Sequence, residues 1–417
     1  MANSWGIDAF YYTGFLFYLI TIAQSLNTEE LSTQSVEFED EYGDIFHCVD
    51  IYKQPALDHP LLKNHIIQLR PSSIPTDFNV DVSSPNATSQ FSVKKRGCPA
   101  GRVPIPQTKK GNLLSMFGTT KLVKTTDNGA DIGPWWAAYQ TKESTYCGGS
   151  ALISVYGLEL GSDQCSLAGI WVENDDGQMN NVVAGWTVCP ETLGDTRTRF
   201  FIKWTADDYQ TTGCTNLDCP GFVQIHKTFT PGSVLGPVST YAGNQFYLPI
   251  NIHRDQKTGN WWLNIGENTI GYWPGSLFTS LNNCATTISW GGAALSLGPK
   301  PPMGSGHFPD EGFGRAATVK NIQVQTAIGK EVGVQPNELS PSIIFYNCYR
   351  VGDPTFEVAT DGLQFYFGGP GESDESEGES SETTKVVFGK GKRVPIVLRP
   401  KTLHHRQNPA WDILRIQ

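Results

Sequence analysis

The sequence predicts an all-β protein in which an antiparallel β-sandwich follows a smaller domain and precedes a disordered C-terminal tail. Three observations support this fold class. The 417 residues include 43 Gly and 26 Pro, and only 17% are charged, a composition that suits short strands joined by turns. Between residues 133 and 370, apolar residues recur at every second position in short runs. After Gly371 the composition becomes acidic and low in complexity.

Residues 1–25 are predicted to be a secretory signal peptide. Apolar residues crowd between Ala9 and Ala23, and a small-residue sequence that suits a cleavage site ends at Ser25. No Lys or Arg precedes the apolar run, so an uncleaved signal anchor is the alternative. Cleavage would give a secreted or extracellular protein without a membrane segment. The nine cysteines suit an oxidising compartment, and Asn86 begins a glycosylation sequon.

Residues 26–127 form the predicted first domain. It opens with an acidic stretch between Glu29 and Glu41 and ends with basic residues between Lys94 and Lys124. The stretch from Pro71 to Asn86 is rich in Ser, Pro, Asn and Asp and predicts a loop. The opposite charges at the two ends either pair with each other or with another domain, or remain solvated.

Residues 133–370 form the predicted sandwich. Side chains alternate between the two faces of a strand, so Phe200, Ile202 and Trp204 are expected on one face. Further runs of this kind are Ala151–Tyr156, Phe222–Lys227, Leu248–His253, Trp261–Ile265 and Ala317–Gln325. Many short alternating strands separated by turn residues are typical of an antiparallel sandwich.

Residues 371–417 are predicted to be a disordered, charged tail. Its acidic run, from Glu372 to Glu379, cannot bury enough apolar surface to fold, and the chain turns basic beyond Lys385.

Composition also excludes several functions. A net charge of -10 and a pI of about 5.3 argue against nucleic-acid binding, which needs a basic surface. The cysteines and histidines lack the spacing of zinc ligands, so we expect neither a metal site nor a cofactor. The glycine-rich segments near Gly304 and Gly312 do not lead from a strand into a helix, which argues against a phosphate-binding loop.

Two ordered sets of short phrases run along roughly residues 40–370. The set in the first domain comprises Tyr42–Ile45, Cys48–Ala56, Asp58–His65 and Gly97–Gly101. The set in the sandwich comprises Ile170–Val172, Ala184–Trp186, Thr212–Leu217, Cys219–Gln224, Asn260–Trp262, Gly271–Pro274, Trp290–Gly292 and Met303–Phe308. Together they resemble the neprosin family, glutamic peptidases that carry an activation domain.

The resemblance implies a β-sandwich peptidase domain behind a removable propeptide. In the family, two glutamates share a water molecule and cleave proteins after proline. One carboxylate acts as the general base, and the protonated partner stabilises the developing oxyanion, which works in acid. The resemblance also implies disulfides between Cys48 and Cys98 and between Cys214 and Cys219. It leaves Cys348 unpaired, because the family's later cysteine is missing here, and the pairing of the other four cysteines stays open.

Both glutamates of the family pattern are replaced in this chain. The residue before Ala-Gly-Trp is Val183, and the residues flanking Trp-Gly-Gly are Ser289 and Ala293, either of which stands at the second position. No catalytic residue is therefore assigned. The resemblance and the two losses predict a secreted, inactive relative that acts as a binding or regulatory module.

The alternative is an active acid endopeptidase that uses a displaced carboxylate. Glu173, Glu267, Asp310 and Glu311 lie in or near the shared phrases. Glu173 and Glu267 stand beside turn residues, so we expect them to be exposed.

Aromatic residues of the shared phrases have two interpretations. They pack in the core, or they line a cleft that binds a proline-rich protein or a glycan. The candidates are Trp186, Trp261, Trp262, Tyr272, Trp273 and Trp290.

Overall fold

The computed structural model describes residues 36–73, 96–107, 133–343, 347–356 and 362–372. The predicted signal peptide (residues 1–25), the sequon at Asn86 and the predicted tail from residue 373 onward lie outside these ranges. Within them, no helix has both the length and the apolar character needed to span a membrane.

Strands are the main regular structure of the described residues, as the sequence predicts. In chain order the strands are β1 (Val36–Glu39), β2 (Ile45–Asp50), β3 (Arg102–Pro106), β4 (Trp135–Thr141), β5 (Tyr146–Ser154), β6 (Gln164–Asn174), β7 (Asn180–Val188), β8 (Arg199–Thr205), β9 (Cys214–Thr215), β10 (Val223–Gln224), β11 (Tyr247–Arg254), β12 (Trp261–Ile265), β13 (Asn268–Trp273), β14 (Thr287–Ser296), β15 (Ala317–Thr326), β16 (Glu331–Gly333), β17 (Leu339–Ile343), β18 (Arg350–Val351), β19 (Thr355–Phe356) and β20 (Leu363–Gly368). A short α-helix, α1, covers Pro190–Leu193, and the 3₁₀ turns cover Ile51–Lys53, Pro55–Asp58, Pro60–Leu62, Gly275–Leu277, Pro309–Glu311 and Pro336–Glu338.

The strands form three antiparallel sheets. Sheet A, in the first domain, has the order β1-β2-β3. Sheet B has the order β10-β13-β12-β11-β5-β15-β20-β18, with β16 beside β15 and β19 beside β20. Sheet C has the order β17-β4-β14-β6-β7-β8-β9. The fold class is therefore confirmed.

The main core lies between sheets B and C. Sheet B contributes residues such as Ile153 and Ile250, and sheet C contributes residues such as Ile170 and Ile202, all of them buried. Burial of this apolar surface is the main force that holds the sheets together. A hydrogen bond also joins the sheets, since the Trp186 indole N–H donates to the Ser154 carbonyl at 2.8 Å.

The alternation predicted from sequence fixes the two faces of sheet C. On β8, Phe200, Ile202 and Trp204 pack in the core, whereas Phe201 and Lys203 point to the opposite side. We call that side the outer face of sheet C.

Four disulfides join eight of the nine cysteines, all of which lie in described ranges. Cys48–Cys98 and Cys214–Cys219 are the two pairs expected from the family resemblance. The other two pairs are Cys147–Cys284 and Cys165–Cys189, and Cys348 is the cysteine left unpaired.

Three glycines lie side by side on the outer face of sheet C. Gly291 of β14 is in register with Gly169 of β6, and Gly169 with Gly185 of β7. A Cβ at Gly185 would lie 2.0 Å from the Ala168 carbonyl oxygen of the neighbouring strand, so a larger residue does not fit there. This glycine row crosses the middle of the face without side chains, and all three glycines are buried.

Candidate functional site

The two replaced family positions lie in one cross-strand row on the outer face of sheet C. Ser289 is in register with Trp171, Trp171 with Val183, and Val183 with Lys203. Residues directly opposite each other in a sheet share a face, so these four form what we call the central row. Val183 and Ser289 stand two strands apart, about 10 Å between their Cα atoms.

Ala293 belongs to a different row. It is in register with Leu167, which is in register with Thr187, which in turn faces Arg199. These four residues form the distal row, on the far side of the glycine row. Ala293 is thus about 13 Å along β14 from Ser289.

Val183 sits in an apolar environment. Its side chain is only 2% exposed. The neighbours in this small outer-face cluster are Cys165, Leu167, Trp171, Cys189, Phe201, Ala293 and Leu295. The direct cross-strand neighbours of Val183 are Trp171 and Lys203.

Lys203 brings a buried amine into the central row. It is 3% exposed, and its Nζ lies 4.3 Å from the centre of the Tyr209 ring. Burial lowers the pKa of Lys203 to about 7. The Tyr209 hydroxyl donates to Asn181 Oδ1 at 2.9 Å. Burial, with a smaller contribution from the charge of Glu173, raises the pKa of Tyr209 well above its usual value.

The loop after β8 holds Tyr209 in this position. Asp208 and Tyr209 both have a φ of 57°, a left-handed conformation that favours glycine. The carboxylate of Asp207 stabilises the loop by accepting hydrogen bonds from Thr211 and Thr212. Burial raises the pKa of Asp207, but these hydrogen bonds outweigh it and bring the pKa down to about 2.

The candidate displaced acids occupy different places. Glu173 of β6 is in register with Thr287 and Asn181, so it lies on the outer face one row beyond the central row. Glu267 stands in the turn between β12 and β13 of sheet B, and Asp310 and Glu311 belong to a 3₁₀ turn before β15. In the described ranges, no group of three or more His, Cys, Asp and Glu side chains could hold a metal ion.

The aromatic candidates do not line the outer face of sheet C, and four of the six pack in the core. The first group, packed between the two sheets, comprises Trp186, Trp261, Trp273 and Trp290. Trp262 and Tyr272 lie instead on the other side of sheet B, where they pack against Ala56 of the first domain. The physical reason is strand alternation: Trp186 and Trp290 stand an odd number of residues from Val183 and Ser289.

The first domain is attached to the sandwich by polar contacts. The Gln54 side chain pairs with the backbone of Gln224 at 2.8 and 3.1 Å. Asp255 accepts hydrogen bonds from the backbone and hydroxyl of Ser72. Burial raises the pKa of Asp255, but these bonds outweigh it and hold the pKa well below its usual range.

A third attachment between the first domain and the sandwich lies at the start of β8. Asp44, in the turn between β1 and β2, meets Arg197 and Arg199, which also contact Asp195. Burial raises the pKa of Asp195, but the hydrogen bonds from Arg199 and Arg197 outweigh it and lower the pKa to about 2.

Lys203 was not recognised from the sequence, although a signal existed. Lys203 stands between Ile202 and Trp204, which both flank it in β8, so its side chain must face away from the core. It lies on the side that carries Val183 of the neighbouring strand β7. Tyr209 carries no such signal, because the geometry of the loop after β8 positions it. Asp44 carries none either, because its contacts depend on how the first domain docks on the sandwich.

Replacing Lys203 by Met is expected to stabilise the protein at pH 5, and the gain should shrink as the pH rises from 7 toward 10. An unfolded Lys keeps its proton up to about pH 10.4. Below pH 7 both states are charged and the folded state bears the full cost of the buried charge. Between pH 7 and 10 the unfolded state binds more protons, so wild-type stability rises.

Urea unfolding of the wild type and Lys203→Met at pH 5 and pH 9.5 measures this difference. Lys257→Met is the matched control, because Lys257 is exposed. A stability gain of the same size at both pH values would contradict the prediction.

Two family models and several solved structures are similar to this chain. The family model described as Neprosin matches residues 162–370, which is 209 of the 417 residues, and the model described as Neprosin activation peptide matches residues 37–131. A crystal structure of scytalido-glutamic peptidase with a peptide-based transition state analogue is 11% identical, with a TM-score of 0.31, and covers 56% of this chain and 98% of that chain. A structure of SCP-B, a member of the eqolisin family of peptidases, in complex with the tripeptide Ala-Ile-His is 11% identical, with a TM-score of 0.30 and the same coverage. The chain belongs to the neprosin family, and its first domain is a neprosin activation peptide.

Proposed function

We propose that this protein is a secreted, non-catalytic member of the neprosin family that acts as a binding or regulatory module. One observation carries the proposal: the row that holds both replaced family positions contains no carboxylate. The register extends the central row to Gln140 and Ser340 beyond Ser289 and to Thr215 beyond Lys203, and none of these added residues is an acid.

The register also supports Ser289 over Ala293 as the second replaced position. Two carboxylates can share a water only when their side chains reach the same point. Glutamates at Val183 and Ser289 would extend from the same row on either side of Trp171. A glutamate at Ala293 would start from the distal row, beyond the glycine row.

The groups that remain do not replace the lost dyad. Hydrolysis needs a base within hydrogen-bond reach of the attacking water and a donor for the developing oxyanion. The Ser289 hydroxyl can donate, but it cannot act as a base without an activating neighbour. The Lys203 amine has a pKa of about 7, so it is protonated in acid and cannot act as a base there.

Secretion belongs to the same proposal. Four disulfides suit an oxidising compartment. A proline-rich protein or a glycan remains a proposal for the ligand. The aromatic residues that motivated it lie away from the outer face of sheet C, so other groups on that face must provide the recognition.

A second candidate function is an acid endopeptidase that uses Glu173. One observation favours it: Glu173 shares the outer face with Val183 and Ser289 and stands diagonally from both. Diagonal neighbours lie about 7–8 Å apart, within reach of a long side chain. Glu267, Asp310 and Glu311 have no such placement.

Incubation with a proline-rich substrate at pH 3–5 separates the two functions. Protein freed of its activation peptide is expected to leave the substrate intact over a time in which an active glutamic peptidase consumes it. Cleavage after proline that Glu173→Gln abolishes would overturn the proposal and support the second function. Glu267→Gln is the control, since that residue lies in sheet B.

A further inference from the structure

The turn between β1 and β2 places a carboxylate in a site made by two arginines of the sandwich. Arg199 Nη1 and Nη2 lie 2.5 and 3.1 Å from the two oxygens of Asp44. Arg197 Nη2 adds a contact of 3.0 Å to the second oxygen. Two parallel bonds from one guanidinium are the geometry by which arginine recognises carboxylates.

We propose that Arg197 and Arg199 form a binding site for the carboxylate of a peptide ligand, which Asp44 of the activation peptide occupies in this chain. The pair is called the carboxylate site below. The inference goes beyond the proposed function because it names the chemistry of the ligand. It does not depend on that function, since the site would serve a binding partner and a substrate equally.

The sandwich itself preorganises this site. Asp195 accepts from Arg197 Nη2 at 2.6 Å and from Arg199 Nη2 at 2.7 Å, which holds the two guanidiniums together. Arg199 Nη1 also donates to the Gly232 carbonyl at 2.8 Å. All these partners belong to the sandwich, so the arginines keep their orientation when the activation peptide leaves.

The charges of the site favour a new anion once Asp44 is gone. Departure of Asp44 leaves two guanidiniums beside the single carboxylate of Asp195. With Asp44 in place the Arg199 side chain is only 8% exposed, and its bonds to Asp195 and the Gly232 carbonyl keep it against the sandwich. A partly buried charge that has lost its partner is strongly unfavourable, which a carboxylate of a ligand would correct.

The location is suitable for a peptide. Arg199 belongs to the distal row on the outer face of sheet C. The Arg199 side chain is met from outside the sandwich by the β1–β2 turn, through Asp44 and the Tyr42 carbonyl that Arg197 contacts. A peptide that follows the path of this turn would bring one carboxylate to the carboxylate site.

The activation peptide presents its carboxylate from a rigid turn. Asp40 Oδ1 accepts from the backbone of Tyr42 and Asp44 at 2.8 and 2.9 Å. The Tyr42 carbonyl accepts from Arg197 Nη1 at 2.7 Å. The turn therefore meets the carboxylate site with both a carboxylate and a backbone carbonyl, as an acidic peptide would.

The first test replaces Asp44 in the full chain. In Asp44→Ala, acetate is expected to raise the Tm by several degrees in a saturable way, because it refills the space between the arginines. Wild type should show no such rise, since Asp44 occupies the site. Asp44→Ala with Arg199→Gln should lose the effect. Asp44→Ser gives the same comparison if the alanine variant does not fold.

The second test identifies the source of the carboxylate. Tyr42→Ala with Asp44→Ala loosens the turn in the full chain, and three peptides are titrated by calorimetry: acetyl-Tyr-Gly-Asp-Ile-amide, its Asn analogue, and acetyl-Tyr-Gly-Ile with a free C-terminus. If the first peptide binds at least 10-fold more tightly than the other two, the ligand group is a side-chain carboxylate. If the third peptide binds at least 10-fold more tightly than the other two, the ligand group is a chain terminus. Equal binding of the Asn analogue, or an acetate effect that survives Arg199→Gln, would overturn the proposal.

Discussion

The double variant Val183→Glu with Ser289→Glu is expected to cleave a proline-rich substrate at pH 3–5 where the wild type does not. The register places the two positions on either side of Trp171 in the central row, so two carboxylates there can approach one water. Their mutual repulsion would keep one protonated and one ionised, which supplies an acid and a base. A restored general base alone raises a rate by about 10²–10⁴.

The matched control is Val183→Glu with Ala293→Glu. It adds the same two carboxylates, but Ala293 lies in the distal row beyond the glycine row, so this variant should stay inactive. Activity is measured as peptide release after removal of the activation peptide. Activity in the control but not in the first variant would show that the register argument is wrong.

Lys203 is expected to limit this gain. A glutamate at position 183 would stand directly opposite Lys203, and a neighbouring ammonium lowers the pKa of a carboxyl. The protonated partner that the reaction needs would then be less populated. Adding Lys203→Met to the first variant should therefore raise activity further and shift its pH optimum upward.

Strand alternation allowed the sandwich to be predicted from the sequence. Phe200, Ile202 and Trp204 pack in the core as expected, because side chains along a strand alternate between its two faces. The same alternation predicts that Trp186 and Trp290 lie on the opposite face from Val183 and Ser289.

Register and long-range contacts could not be predicted. Ser289 and Ala293 share a face, so only the pairing of β14 with β6 separates them. Cys165 and Cys189 are joined at the end of the β6–β7 hairpin, where the pairing of Ser166 with Val188 brings them together. Alternation along a single strand reveals nothing about these pairings.

The docking of the activation peptide on the sandwich could not be predicted from the sequence either. The pair formed by Asp44 and Arg199 spans 155 residues, and the local sequence around either residue does not identify the other as its partner. The sequence did show an acidic opening to the first domain. It could not show which acid meets which base, because that depends on how sheet A rests on the sandwich.

Replacing Gly185 by Ala is expected to destabilise the protein by at least about 3 kcal/mol, at the upper end of what overpacking usually costs. Its Cβ would lie 2.0 Å from the Ala168 carbonyl oxygen and 2.7 Å from the Gly169 Cα. Both atoms belong to backbone in the centre of sheet C, so no flexible side chain can move aside. The strands must separate, which weakens the hydrogen bonds between β6 and β7.

Gly333→Ala is the matched control, because an added Cβ there meets nothing within 4 Å. Gly333 also lies in a strand, β16, so the backbone contribution of the change is similar. Urea unfolding of both variants separates a steric effect from a general effect of replacing glycine. If Gly185→Ala proved as stable as Gly333→Ala, the glycine row would not be required for close strand approach. The absence of side chains along the glycine row would then have a cause other than steric crowding between β6 and β7.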